Sequence, residues 1–150
     1  MVYEVREGDI LVSCDGQKLD LDRVHAFLTA SYWAEGVSRE RVERSIENSI
    51  PFGVYCDGKQ AGFARVISDR ASYAYLADVY IEEAYRGRGL SKFLMRAVMG
   101  HPELQGLRRW ILGTRDAHGL YRQFGFTELQ RPERWMEKAE PGLYEKETGP

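Results

Sequence analysis

Cysteine is scarce in this chain: Cys14 and Cys56 are the only two among 150 residues. They lie far apart and match neither a disulfide framework nor the Cys/His spacing of a structural zinc site, so both are read as free thiols and no metal centre is expected. Long apolar runs are also missing. The longest, such as 50–56, fall well short of the ~20 residues a membrane-spanning helix needs, and the first nine residues carry acids where a secretory leader needs a basic and then an apolar run. The cytoplasm is therefore the expected compartment, with no membrane partner. Nor is there a surplus of one charge. Lys and Arg number 21 against 23 Asp and Glu, for a net charge of -2, so no global positive field exists to gather nucleic acid. No nucleic-acid partner is expected, and any anion must be held locally. What the chain does have is 43% hydrophobic and 12% aromatic residues, enough for one sizeable core. The expectation is a single domain over 1–150 whose last stretch, 131–150, is a polar tail.

The hydrophobic period changes along the chain. Alternation over 9–14 reads as a strand ended by Asp15-Gly16. From Asp20 the positions Leu21, Val24, Phe27 and Leu28 repeat at helical spacing, predicting a helix to about Tyr32, with Asp20 or Asp22 as its cap. A second, shorter helix begins at Ser38. Apolar and β-branched runs at 52–56 and 61–68 flank Asp57-Gly58, a strong hairpin signal, and a third strand is expected at 73–81. Helical spacing returns at Leu90, Phe93, Leu94, Ala97 and Val98 and stops at Gly100. A strand at 110–113, a helix at 117–124 and a last strand at 126–129 complete the reading.

The strand at 73–81 and the helix from Leu90 meet at Arg86-Gly87-Arg88-Gly89-Leu90-Ser91. A helix N-terminus has unpaired amides and a partial positive charge, and two glycines allow close backbone approach, which is what gripping a phosphate requires. Two arginines in the turn would add charge-assisted donors. The same residues also suit a plain tight turn. Lys92 stands where a dinucleotide fingerprint needs its third glycine, and no P-loop spacing is present, so both nucleotide readings fail.

This segment resembles the acyl-CoA-binding motif of the GNAT N-acetyltransferase superfamily, and Ala117-His118-Gly119-Leu120-Tyr121-Arg122-Gln123-Phe124-Gly125-Phe126 resembles that family's later signature. Ala84, Ser91 and Thr114 stand where members commonly have Gln or Arg, Gly, and Asn. The resemblance implies an α/β (α+β) fold with a mixed, mostly antiparallel sheet flanked by helices, and two splayed strands that hold acetyl-CoA. It implies a cofactor site at Arg86, Gly87, Arg88, Gly89, Leu90 and Ser91, with Thr114 alongside, and main-chain contacts from Val79 and Ile81. It also implies direct acetyl transfer to a primary amine through a tetrahedral intermediate, with Tyr121 as general acid toward the CoA thiolate. An unperturbed phenol, of pKa about 10, is protonated at neutral pH and can donate to a thiolate of about 8.5.

The base that takes the ammonium proton stays open among Asp78, His118 and water. Asp78 stands inside an otherwise apolar strand, where a carboxylate needs either a function or a salt bridge. Tyr32 and Trp33 are the candidate acceptor-binding residues, with core packing the other reading of each ring. Trp135 and Met136 read as either a lid or an anchor. The expected acceptor is a small-molecule amine. A protein or peptide acceptor and a non-catalytic acyl-CoA sensor are the alternatives, and a homodimer is left open.

Overall fold

In the computed structural model, which describes residues 2–148, six strands lie side by side in chain order. They are β1 (Glu4–Glu7), β2 (Ile10–Ser13), β3 (Ile50–Cys56), β4 (Lys59–Ser68), β5 (Tyr73–Ile81) and β6 (Arg109–Ile111). β1 to β5 pair antiparallel, and β6 joins β5 in parallel. The helices are α1 (Leu21–Thr29), α2 (Arg39–Glu47), α3 (Leu90–Met99), α4 (His118–Arg122) and α5 (Leu143–Thr148). This is the mixed, mostly antiparallel sheet expected from the sequence. Among the described residues no helix is long and apolar enough to cross a membrane.

Local chemistry explains most element boundaries. Asp20 and Ser38 cap α1 and α2, accepting from the amides of Arg23 and Arg41. Asp57 and Gly58 both take positive φ in the β3–β4 turn, as a two-residue hairpin needs. α1 and α2 cover one face of the sheet, burying Val24, Leu28, Val42 and Ile46 with Phe63 and Tyr80. α3 covers the other, burying Phe93, Leu94 and Val98 with Val12, Phe52 and Val66.

Four sequence expectations are corrected. β1 was not anticipated, because as an exposed edge strand it carries only Val5 as an apolar residue. α1 stops at Thr29, which leaves Tyr32 and Trp33 on a loop. No strand forms at 126–129. The chain turns at Gly125 (φ 91°), and Phe126 packs edge-on against Trp110 and Tyr121, its amide bonded to the Tyr121 carbonyl. The tail is not merely loose, since α5 packs its Tyr144 against the α1–α2 core.

One feature of the sheet sets up the site. Ala74 and Leu76 belong to the core on the α3 side, and so do Val79 and Ile81. Their inward positions therefore slip by one residue around Asp78. The β4–β5 register shifts over the same stretch, and Asp78 adopts φ 56°, a left-handed conformation unusual for a residue with a side chain. Beyond the bulge β4 and β5 run close together, and a Cβ on Gly62 would lie 2.6 Å from the Tyr80 carbonyl oxygen. Gly62→Ala is expected to lower stability by about 1–3 kcal/mol through this overpacking, measured by urea denaturation. Wild-type stability would show that β5 yields at no cost.

Candidate active site

β5 and β6 pair over three positions only, from Tyr73–Arg109 to Tyr75–Ile111. From Leu76 onward β5 has no neighbour on that side, and the two strands leave a gap through the sheet. The Glu82 amide donates to the Ala61 carbonyl on β4 (2.8 Å). Antiparallel alternation then turns the main-chain groups of Val79 and Ile81 toward the gap. This is the edge on which the sequence reading placed their ligand contacts.

At the far end of β5 the glycine turn leads into α3. Gly87 and Gly89 have φ 82° and 76°, and a Cβ on either would meet nothing within 4 Å. Glycine is needed here for the backbone conformation, and open space lies over the turn. Gly89 caps α3 without a side chain, and the first amide bonded within the helix is that of Phe93. The amides of Leu90, Ser91 and Lys92 are thus unpaired among the described residues, as an anion site requires. Leu90 itself is anchored in the core. The two arginines each have a partner inside the turn. Arg86 turns back, its Nε donating to the Ile81 carbonyl (3.0 Å), and the Arg88 guanidinium lies over the Tyr85 ring at 5.4 Å. Their side chains brace the turn, and the amides are what it offers a ligand.

The gap opens into a cavity of about 510 Å³. Six sequence candidates line it: Tyr32, Trp33, Asp78, Val79, Thr114 and Tyr121. Ile81 and the residues of the glycine turn lie beyond its lining. α1, α2 and their connecting loop approach from one face of the sheet, and Tyr121 of α4 reaches in from the core of the other. Tyr121 is 7% exposed, and its hydroxyl makes no hydrogen bond among the described residues. Burial, with Tyr32 nearby, pushes its pKa up to about 12. The Thr114 hydroxyl oxygen accepts from the Ala117 amide at the entry to α4 (3.2 Å).

Asp78 is held on both sides. Its Oδ2 accepts from Arg65 Nε (2.6 Å) and its Oδ1 from Trp33 Nε1 (2.8 Å). The Asp78 and Arg65 side chains are 11% and 17% exposed. Arg65 reaches this carboxylate from across the strand pair on β4. His118 begins α4 on the exposed surface and does not line the cavity. The loop carrying Tyr32 and Trp33 is tied to both sides of the gap. Trp33 holds Asp78, while the Tyr32 hydroxyl accepts from the Arg115 amide (3.1 Å) and its ring lies 3.9 Å from the Arg115 guanidinium.

Several lining residues escaped sequence reading, among them Arg41, Arg65 and Tyr144. Arg41 pairs with Glu147 of α5 and lies over the Tyr144 ring. Arg41 stands in a run of alternating charges, so nothing in the sequence separated it from a solvated helix face. Of the two tail candidates, Trp135 stacks on Arg109 at 4.8 Å as an anchor, and Met136 is exposed.

The profile of the acetyltransferase (GNAT) family matches residues 20–126. A crystal structure from Xanthomonas campestris pv. campestris, described as an acetyltransferase of the GNAT family, is 50% identical and superposes with a TM-score of 0.88, over 90% of this chain and 96% of that one. A protein from Gibberella zeae named as an acetyltransferase is 29% identical, covering 76% of each chain. A GNAT family acetyltransferase from Elizabethkingia anophelis, solved with acetyl-CoA bound, is 13% identical with a TM-score of 0.61, over 91% of this chain and 92% of that one, and shares the fold.

The two constraints on Asp78 are separable. Asp78→Ala strands the Arg65 guanidinium and the Trp33 indole N–H, and is expected to destabilise by about 1–3 kcal/mol. Asp78→Gly loses the same contacts but relieves a left-handed conformation worth about 1 kcal/mol, so it should be the more stable of the two in urea denaturation. Equal stabilities would show that the positive φ stores no strain.

Proposed function

The chain belongs to the acetyltransferase (GNAT) family, and from that premise we propose that it transfers the acetyl group of acetyl-CoA to the primary amine of a small molecule within the cavity between β5 and β6. The observation that carries this reading is the joining, along one strand, of an open main-chain edge and an unpaired helix N-terminus, with a largely buried tyrosine of α4 lining the cavity beside them. Acetyl-CoA suits these residues. The amides of Leu90, Ser91 and Lys92 would hold its pyrophosphate, with Gly87 and Gly89 keeping the approach clear. The Val79 and Ile81 main chain would take its pantetheine arm, although the Ile81 carbonyl is already engaged by Arg86. When bound, it supplies a thioester as the acetyl donor.

A donor on the β5 edge stabilises negative charge developing on an attacked carbonyl, a contribution usually worth about 2.7–4 kcal/mol. Tyr121, kept protonated by burial, donates its proton or a hydrogen bond to the departing thiolate. Asp78 serves by position. Both of its carboxylate oxygens are already engaged, by the Arg65 guanidinium and the Trp33 indole N–H, so the ammonium proton passes to water at the cavity mouth, and Asp78 fixes Trp33 against the strand. The aromatic walls and the limited volume favour a small amine over a folded protein.

Thiol release from acetyl-CoA, followed across a panel of amines and peptides, tests the acceptor class. Turnover of peptides alone would overturn the small-molecule reading. Tyr121→Phe is expected to lower kcat by about 10² to 10⁴ while leaving acetyl-CoA affinity nearly unchanged. With its pKa near 12, Tyr121 should give the wild-type rate no alkaline fall below roughly pH 11, whereas an unperturbed phenol would titrate at about 10. Retention of more than about half of kcat with chemistry rate-limiting would remove the acid role and leave water to protonate the thiolate. Gly89→Ala should weaken acetyl-CoA binding about tenfold, or 1.4 kcal/mol, in calorimetric titration. Unchanged affinity in the folded variant would displace the pyrophosphate from this turn.

A further inference from the structure

A second concave surface lies at the other end of β5. Arg108, Arg109, Arg131 and Arg134 line a groove of about 650 Å³, together with Trp110 and Trp135. None of the four arginines forms an ion pair among the described residues. The groove's own carboxylate, Glu128, is taken by Arg122. The arginines come from two segments, the start of β6 and a 3₁₀ turn at Pro132–Arg134. That turn brings residues three apart onto one side, so Arg131 and Arg134 approach the groove together. The Arg109 guanidinium is oriented by the Trp135 ring beneath it.

Four guanidinium groups that line one groove with no ion-pair partner of their own leave a local excess of positive charge there, which a bound anion would neutralise. The volume falls within the roughly 300–1,000 Å³ usual for small-ligand sites. The groove is also separate from the glycine turn. Arg109 is registered with Tyr73, the first residue of β5, and the turn follows Ile81, the last. At about 3.3 Å per residue the strand sets them roughly 25 Å apart. The net charge of -2 excludes a global positive field but not this local one.

We propose that this groove binds a multiply phosphorylated small molecule, independently of the acetyl-transfer site. The guanidinium groups would take phosphate oxygens by charge-assisted hydrogen bonds, and the two tryptophans would supply an apolar wall for the rest of the ligand. The test is calorimetric titration of inorganic tripolyphosphate and of ATP into protein loaded with one equivalent of CoA, so that the cofactor site is closed to both probes and no excess CoA occupies the groove. One-to-one binding is expected, weakening as salt rises and falling tenfold or more in an Arg131→Ala/Arg134→Ala double variant. Both positions are exposed, so that variant should fold, and its acetyl-transfer rate should match wild type. A short single-stranded oligouridylate forms a second arm. Absence of binding by both phosphate probes at millimolar concentration would overturn the proposal. Equal affinity in the double variant would do the same, and binding of the oligouridylate alone would give the groove to nucleic acid.

Discussion

The site depends on a one-residue slip in the middle of β5. At Asp78 the pleat loses its phase, and the pairing with β6 that ends at Tyr75 does not resume. Everything that touches the cavity follows from that separation. It bares the main-chain edge of Val79 and Ile81, and it lets helices on opposite faces of the sheet contribute to one space. Closed sheets keep their two faces apart. Here Trp33, above the sheet, and Tyr121, from the core below it, line the same cavity.

An ion pair, a hydrogen bond and a cation–π contact hold the opening in shape. Arg65 and Asp78 tie β4 to the bulge, Trp33 fastens the α1–α2 loop to the same carboxylate, and Arg115 meets Tyr32 at the other rim. The Arg65 pair is largely withdrawn from solvent, so breaking one partner matters more than it would on the surface. Other pairs, such as Arg39 with Glu43, sit in water and contribute little. The distinction explains why a chain with many charges of both signs concentrates its structural electrostatics at the cavity.

How legible these features were in the sequence depended on whether a residue type alone states the backbone requirement. The glycine turn was legible because positive φ at Gly87 and Gly89 needs glycine, and glycine is visible in the sequence. The Asp57-Gly58 hairpin was legible for the same reason, and Asp20 was one of the two caps the sequence offered for α1. Asp78 was visible only as an acid in an apolar strand. Its partner Arg65 lies on another strand, and the register that joins them is set by a bulge no period announces. The arginines of the glycine turn were read as ligand donors because their alternative partners, the Ile81 carbonyl and the Tyr85 ring, come into reach only once the turn is folded. Phe126 looked like a strand residue because packing as a plug and pairing in a ladder call for the same kind of side chain. β1 was hidden by the polarity that keeps an edge strand from pairing further. α5 was hidden because what fixes it, Arg41 and the α1–α2 core, is about a hundred residues away in the chain.

The last helix has a practical consequence. α5 brings Tyr144 to the cavity lining and Glu147 to Arg41, so one wall of the cavity is completed by residues about a hundred positions along the chain from the helix they meet. The glycine turn, by contrast, is set by its own backbone conformation. A substitution that loosens α5 from Arg41 would therefore reshape that wall of the cavity while leaving the glycine turn untouched.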